Sequence, residues 1–206
     1  MNAFLDSLGL FFQDMFTYAI VAVFLENTIF SRALGVSTAL FSVRKKYNVF
    51  LFGMVMTGII ALSALITYFL YPLVNRLSFS YYVIPAVYVA VISLVYVGAL
   101  LITIRVARKR REEILSIIHV SAFNCAVLGA LLLASNAADI TLGGFLGFGI
   151  GTGLGFTLAT FFVRLAYEQL SSRDVPASFR GFPITLIYIG IVSLALYGLI
   201  GHQLPF

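Results

Sequence analysis

The sequence predicts an all-α membrane protein whose six transmembrane helices form two inverted three-helix repeats, with a broken helix in the first span of each half. Three observations predict this class. Hydrophobic residues make up 61% of the 206 residues and charged residues 10%, against about 45–50% and 25% in soluble domains. The hydrophobic residues are grouped in six runs, each long enough to cross about 30 Å of hydrocarbon as a helix. The basic residues lie mainly in alternate connections between those runs.

The six runs define the predicted spans. Five of them lack Asp, Glu, Lys and Arg, and they cover residues 48–73, 81–104, 117–135, 141–162 and 183–201. The first span, 18–43, is apolar but contains Glu26, Asn27 and Arg32. The segment before it has two aspartates and no basic residue, so we do not expect a cleavable signal peptide.

The distribution of charge predicts the orientation. Eleven basic residues lie in the connections after the first, third and fifth spans or at the end of the fifth: Arg44, Lys45, Lys46, Arg105, Arg108, Lys109, Arg110, Arg111, Arg164, Arg173 and Arg180. The opposite side has Arg76 alone. The positive-inside rule therefore places these three connections in the cytoplasm and both termini outside. The basic character reflects topology and attraction to anionic lipid, and nucleic-acid binding is not expected because no binding fold accompanies it.

Six spans divide near residue 105 into two groups of three, about 1–104 and 105–206, within a single transmembrane domain. Because three is an odd number, the two groups must face opposite ways across the membrane. That arrangement is typical of inverted-repeat proteins, which hold a site near the bilayer midplane. The sequence similarity between the halves is faint and consists mainly of an asparagine in the first span of each, Asn27 and Asn124.

Glycines in the fifth span predict close packing of helices. Gly143, Gly147, Gly151 and Gly155 are four residues apart and therefore lie on one helix face, where small residues let a second helix approach closely. The span contains neither a G-x-G-x-x-G nor a G-K-[ST] pattern, so we do not expect a nucleotide site.

The polar residues of the first span need a separate explanation. A continuous helix over 18–43 would be about 39 Å long and would place Glu26 and Arg32 on different faces. An ionisable side chain inside the membrane costs at least ~2.5 kcal/mol. In one interpretation, Glu26 lies near the outer surface and Arg32 reaches the interface. In the favoured interpretation, the helix breaks and lines an ion or cofactor site.

Cys125 is the single cysteine, and it follows Asn124 in an apolar stretch of the fourth span. One cysteine excludes an internal disulfide and a self-contained four-cysteine site. It is therefore either a small buried hydrophobic residue or part of a shared metal site. Measured from the cytoplasmic ends of their spans, Cys125 lies about 13 Å deep and Ser37 about 10 Å deep. The two positions are thus expected at similar depth in the two halves.

Three segments carry a resemblance to a known family: FLENTIFSRALGVS (24–37), SAFNCAVLG (121–129) and SRDVPASFRGFPITLIYIGIVSLA (172–195). They resemble the six-span integral subunits of the Rnf and Na⁺-translocating NADH:quinone oxidoreductase (Nqr) complexes. The resemblance covers essentially the whole chain. The orientation with both termini outside is similar to that of the RnfA/NqrE branch rather than that of its inverted paralogue.

The resemblance implies a [2Fe–2S] cluster at the interface of two paralogous subunits, each of which supplies two cysteines near mid-membrane. One motif cysteine corresponds to Cys125, beside Asn124. The other follows a Leu-Gly-x sequence, and here Leu34-Gly35-Val36 is followed by Ser37. Three arrangements stay open. In the first, Ser37 is a ligand, or a different partner subunit makes a ligand at Ser37 unnecessary. In the second, two copies of the chain contribute one Cys125 each. In the third, the cluster is lost.

The resemblance also implies a function in the cell membrane of a bacterium or archaeon. The chain would be a membrane subunit, without an active site of its own, of a complex that couples electron flow to Na⁺ or H⁺ translocation. Its expected partners are a paralogous six-helix subunit, flavin and iron–sulfur subunits, and lipid. Two alternatives are a redox-independent transporter that uses Glu26, Asn27 and Arg32, and a structural membrane scaffold. The loop 171–181 is a rigid turn or a docking site for a cytoplasmic subunit, and His119 is expected at the membrane interface.

Overall fold

The computed structural model describes residues 2–76, 79–106, 110–137, 140–172 and 175–200. These residues form helices and the connections between them: α1 (Asn2–Phe24), α2 (Val36–Arg44), α3 (Val49–Val74), α4 (Ser80–Val106), α5 (Arg111–Ala122), α6 (Cys125–Asn136), α7 (Leu142–Leu170) and α8 (Phe182–Ile200). Three basic residues used in predicting the orientation, Arg108, Lys109 and Arg173, lie outside the described residues.

The predicted class, an all-helical membrane protein, is confirmed over the described residues. By length and composition α1, α3, α4 and α7 can each cross a membrane, and α5 with α6 makes a fifth candidate if the bent pair is one span. Helix α8 is a shorter apolar helix at the position of the sixth predicted span. The grouping of these segments into six spans and two inverted repeats stays a prediction.

The first span differs from the prediction over 18–43. Helix α1 begins at Asn2 and ends at Phe24, and residues 25–35 form turns before α2. The surroundings of each of the two N-terminal aspartates are compatible with a helix. Asp6 is exposed near its start, and the carboxylate of Asp14 accepts a hydrogen bond of 2.7 Å from the Thr141 hydroxyl at the start of α7. The Asp14 carboxylate thus has a partner on another helix.

Helix α7 packs closely against α1 through four glycines: Gly143, Gly147, Gly151 and Gly155. A Cβ atom on Gly147 would lie 2.1 Å from the carbonyl oxygen of Met15, and one on Gly151 would lie 2.3 Å from that of Ala19. Later residues of α1 meet later residues of α7, so the two helices run parallel. The prediction of close helix packing at these glycines is therefore confirmed.

Helix α3 packs antiparallel against a different face of α7. A Cβ atom on Gly153 would lie 2.4 Å from the Thr57 hydroxyl oxygen, whereas one on Gly149 would lie 3.1 Å from the Ala64 Cβ. Small residues on two faces of α7 thus hold α1 and α3 at short range, and α7 is the centre of the bundle.

The basic connections meet at one end of the bundle. The guanidinium of Arg164, near the end of α7, donates to the carbonyl oxygen of Tyr47 at 3.3 Å. The Tyr47 hydroxyl is hydrogen bonded to that of Ser116, in α5, at 2.5 Å. These contacts join the connection after α2 with the start of α5 and the end of α7. Asp14 and Thr141 lie at the opposite end.

Candidate functional site

Two helix interruptions meet near the middle of the bundle. One is the turn segment 25–35 between α1 and α2. The other separates α5 from α6, which are bent by 47° relative to each other. The first interruption contacts Gly155, halfway along α7, through Asn27. An interruption is therefore present within the predicted first span and at the start of the predicted fourth span.

Gly35 is the residue just before α2, at its N-cap position, and glycine fits there for two reasons. Its φ of 79° lies in the left-handed region that favours glycine. A Cβ atom would lie 2.6 Å from the Phe156 ring and 2.8 Å from the Asn124 side-chain oxygen. Ala33, just before it, has a φ of 55°. The chain therefore makes a strained, closely packed turn into α2.

Asn124 caps the start of α6. Its Oδ1 accepts a hydrogen bond of 3.1 Å from the N–H of Ala126, and its Nδ2 lies 3.9 Å from the sulfur of Met56 in α3. The side chain is 4% exposed. An N-cap of this kind satisfies one of the free N–H groups at a helix start. Asn124 therefore fixes where α6 begins and holds that point against α3.

The starts of α2 and α6 contact each other through the cysteine sulfur. The backbone N–H of Gly35 donates to Cys125 Sγ at 3.0 Å. Cys125 is the first residue of α6, where the helix dipole favours negative charge. Cys125 is also exposed, so its interpretation as a buried residue is wrong for this chain. The junction therefore holds the sulfur of an exposed residue in electropositive surroundings.

Asn27 occupies the corresponding place after α1. Its Oδ1 accepts hydrogen bonds from the N–H groups of Ile29 at 3.1 Å and Phe30 at 3.2 Å. Its Nδ2 donates to the carbonyl oxygens of Val23 at 2.9 Å and Gly155 at 3.1 Å. The side chain is 2% exposed. Asn27 thus closes the end of α1 and attaches it to α7.

Glu26 and Arg32 form an ion pair across the turn segment. Two guanidinium nitrogens of Arg32 lie 2.7 and 2.8 Å from Glu26 Oε2. The break makes this contact possible, since an unbroken helix would separate the two side chains. The side chains are 46% and 33% exposed for Arg32 and Glu26, so the pair lies on the surface of this chain. A role for Glu26, Asn27 and Arg32 in an ion path stays a prediction.

Ser37 and Cys125 are both exposed in the first turns of their helices, but they line different grooves. Cys125 lines an apolar groove of about 210 Å³ that includes Val89 of α4. Ser37 lines one of about 530 Å³ that includes Arg44 and Phe182. Over the described part of the chain, no group of three or more His, Cys, Asp or Glu side chains could hold a metal ion.

Two other predicted features have defined surroundings. The Nδ1 of His119 is hydrogen bonded to the Tyr96 hydroxyl at 2.6 Å. In the described part of the loop 171–181, the guanidinium of Arg180 donates to the carbonyl oxygen of Val175 at 2.9 Å, and Gly181 has a φ of 85°. That part is a turn as predicted, and its role in docking stays a prediction.

Sequence reasoning missed the residues that connect the junction to its surroundings. Phe156 and Met56 pack against it, and nothing in the local sequence marks them because both contacts are distant along the chain. Buried hydroxyl groups of α3 were also missed, at Ser63 and Thr67. Their spacing of four residues in an uncharged span was a usable signal, since it places both on one helix face.

The chain is similar to several curated proteins. It matches the family described as Rnf-Nqr subunit, membrane protein, over residues 15–202. One relative belongs to the Na⁺-translocating ferredoxin:NAD⁺ oxidoreductase complex of Acetobacterium woodii and is 30% identical over 187 residues, which cover 90% of this chain and 96% of that protein. Another belongs to the Na⁺-translocating NADH-quinone reductase of Hahella chejuensis and is 26% identical over 203 residues, or 94% of this chain and 100% of that protein. A third belongs to the ion-translocating oxidoreductase complex of Alcanivorax borkumensis and is 41% identical over 78 residues, or 38% of this chain and 40% of that protein.

Proposed function

This chain belongs to the Rnf-Nqr subunit family, and we propose that it is an integral membrane subunit of an ion-translocating electron-transport complex. In this proposal it relays electrons across the membrane and couples them to Na⁺ or H⁺ transport. The relatives carry the names of subunits of such complexes. The structural observation that carries the proposal is the exposed Cys125 sulfur, which lies where two half-helices meet and accepts the Gly35 N–H.

The donor atoms of this chain fit one ligand of a shared [2Fe–2S] cluster. Such a cluster is held by four ligands that are usually thiolates, and this chain has one cysteine. Cys125 fits because it supplies a thiol from an exposed residue. Ser37 does not fit in the same way, since a hydroxyl is a harder and poorer iron ligand and it lines a different groove. The other thiolates would come from a partner subunit.

The residues of the junction have separate tasks in this proposal. A cluster held there would supply a one-electron carrier inside the hydrocarbon. The Gly35 N–H and the start of α6 stabilise negative charge on the Cys125 sulfur. Asn124 fixes the sulfur relative to α3, so the ligand is oriented before any partner binds. Asn27 fixes the first interruption against α7.

The six-span inverted repeat and the outside termini belong to the same proposal. The described basic connections lie at one end of the bundle, which the positive-inside rule assigns to the cytoplasm. The halves 1–104 and 105–206 each contain a broken span with a buried asparagine at the break. A paralogous protein would cover the face that exposes Cys125, with flavin and iron–sulfur subunits on either side of the membrane.

Ser37 favours one alternative function. A subunit with a hydroxyl in place of a thiol has the composition expected of a transporter or scaffold that has lost the iron–sulfur site. The Glu26–Arg32 ion pair would then be a candidate part of an ion path that operates without electron transfer. The two functions differ in whether iron is bound, and this can be measured.

The proposal is tested by iron analysis of the complex purified with its native partners. We expect Cys125→Ser to remove one [2Fe–2S]-type electron paramagnetic resonance signal and two irons and two acid-labile sulfides per complex, with loss of electron transfer. Ser37→Ala is the control for a neighbouring polar position, and it should leave the signal in place if the partner supplies the other ligands. A spectrum and turnover unchanged by Cys125→Ser would favour the redox-independent alternative.

A further inference from the structure

A polar cavity lies between α3, α6 and α7, away from the cysteine junction. Its volume is about 460 Å³, and its wall includes Tyr68, Tyr71, Pro72, Ser135 and Asn136. The cavity lies beside the ends of α3 and α6 and the start of α7, and so at the end of the bundle opposite the basic connections. In an otherwise apolar bundle, a cavity with polar walls at this place can hold water or an ion.

Backbone oxygen atoms without helical partners lie in the wall of this cavity. Pro72 is inside α3 and has no N–H, so the carbonyl oxygen of Tyr68 lacks its usual donor four residues later. Helix α6 ends at Asn136, and the last carbonyl oxygens of a helix also lack helical donors. The negative end of a helix dipole adds to the attraction for a cation there.

Buried hydroxyl groups continue from the cavity into the bundle. Ser63, Thr67 and Tyr71 are four residues apart and lie on one face of α3. The hydroxyls of Ser63 and Thr67 are fully buried and, within the described residues, make no hydrogen bond. The hydroxyl of Tyr88, in α4, is buried next to Ser135 of the cavity wall and lies within hydrogen-bonding reach of the Ser135 hydroxyl. An unsatisfied polar group in a membrane interior costs several kcal/mol, so a ligand bound to the Ser63 and Thr67 hydroxyls would be stabilising.

The same face of α3 leads to the cysteine junction. Met56 lies seven residues before Ser63 on this face, and its sulfur contacts Asn124. Ser63 and Thr67 therefore lie between Tyr71, which lines the cavity, and Met56, which contacts the residue that caps α6.

We propose that the cavity and these hydroxyls form a binding site for a dehydrated monovalent cation of the Na⁺ class. Among the described residues, the donors at this site are neutral oxygens from carbonyl and hydroxyl groups, which suit a hard cation of low charge. Carbonyls at half-helix ends are used in this way in membrane transporters. The site deepens the proposed function, on which it rests for its role in transport, because it gives the translocated ion a place to bind.

The site is tested by Na⁺ binding to the full chain in lipid nanodiscs, without redox partners. Radioactive Na⁺ is the probe, with K⁺ and Li⁺ as competitors. Thr67→Val removes a buried hydroxyl at nearly constant shape, and we expect at least about tenfold weaker Na⁺ binding. Thr57→Val is the matched control on the same helix, because the Thr57 hydroxyl is already bonded to the carbonyl oxygen of Gly53 at 2.7 Å. It should bind Na⁺ as the unchanged protein does.

Tyr88→Phe is an independent second variant, in case Thr67→Val fails to fold, and it should weaken Na⁺ binding in the same direction. Its control is Tyr82→Phe, at a residue that is 78% exposed. Equal Na⁺ binding by folded Thr67→Val, Tyr88→Phe and their controls would overturn the site, as would the absence of Na⁺ binding by the unchanged chain. Because no electron flow is involved, a failure of the electron-transport proposal would leave Na⁺ binding intact.

Discussion

Gly35 is the residue on which the geometry of the junction depends most directly. It starts α2, donates its N–H to the cysteine sulfur, and leaves space for Phe156 and Asn124. The left-handed backbone and the close contacts with Phe156 and Asn124 both need a residue without a side chain. The sequence suggested the neighbouring positions, since Cys125 and Asn124 stand out in their apolar stretch. It could not suggest the bond between Gly35 and Cys125, because the two residues are 90 positions apart in the chain and are brought together only by the fold.

Gly35→Ala should destabilise the protein by about 2–5 kcal/mol. The left-handed backbone costs an alanine roughly 1–2 kcal/mol, and the close contacts of the added methyl group cost about 1–3 kcal/mol more. Gly181→Ala separates these two causes, since Gly181 also has a positive φ but nothing within 4 Å of an added Cβ. Gly181→Ala should lose only the roughly 1–2 kcal/mol of stability that comes from the left-handed backbone. The measurement is the unfolding midpoint in detergent, followed by circular dichroism. Equal losses in the two variants would contradict the close packing at Gly35.

At the scale of helices, uninterrupted hydrophobic runs predicted both ends of α3 and α4 and the start of α7 to within a few residues. Helix α7 extends further than predicted at its C-terminal end. In a membrane, a long uncharged hydrophobic run favours a helix more strongly than the helix propensities of its individual residues oppose it. The predicted first span, 18–43, begins later than α1, which starts at Asn2, although the break favoured within it is present. Its helix is held by contacts with α7, including the bond from Thr141 to Asp14, and such contacts are not visible in a local pattern.

Gly147→Ala should separate α1 from α7 and cost about 1–3 kcal/mol, the usual range for overpacking. The added methyl group would meet a backbone oxygen at 2.1 Å, which cannot move without moving the helix. Gly98→Ala is the matched control in α4, where an added Cβ meets nothing within 4 Å. It should be neutral or stabilising by up to about 1 kcal/mol, because alanine favours helix over glycine. Unfolding midpoints of both variants in the same detergent provide the comparison, and an unaltered Gly147→Ala would contradict the role of the glycine face.

Over the whole molecule, the two ends of the bundle differ both in charge and in the position of the polar cavity. The basic connections gather at one end of the bundle, whereas the proposed cation cavity opens near the other end. The cysteine junction lies between them, near the middle of α7. An ion that enters from the cavity end and an electron carrier at the junction would then be near each other inside the membrane. The charge distribution predicts that the basic end faces the cytoplasm, so the cavity would open to the outside.

The orientation can be tested in intact cells with single introduced cysteines. In a Cys125→Ser background, Lys45→Cys places a thiol at the basic end and Asn75→Cys places one at the opposite end, and both positions are exposed. Since both termini are predicted outside, a membrane-impermeant maleimide should label Asn75→Cys in intact cells and Lys45→Cys only after permeabilisation. The Cys125→Ser protein without an added cysteine should stay unlabelled throughout. Labelling of Lys45→Cys alone in intact cells would reverse the orientation, and the cation cavity would then open to the cytoplasm.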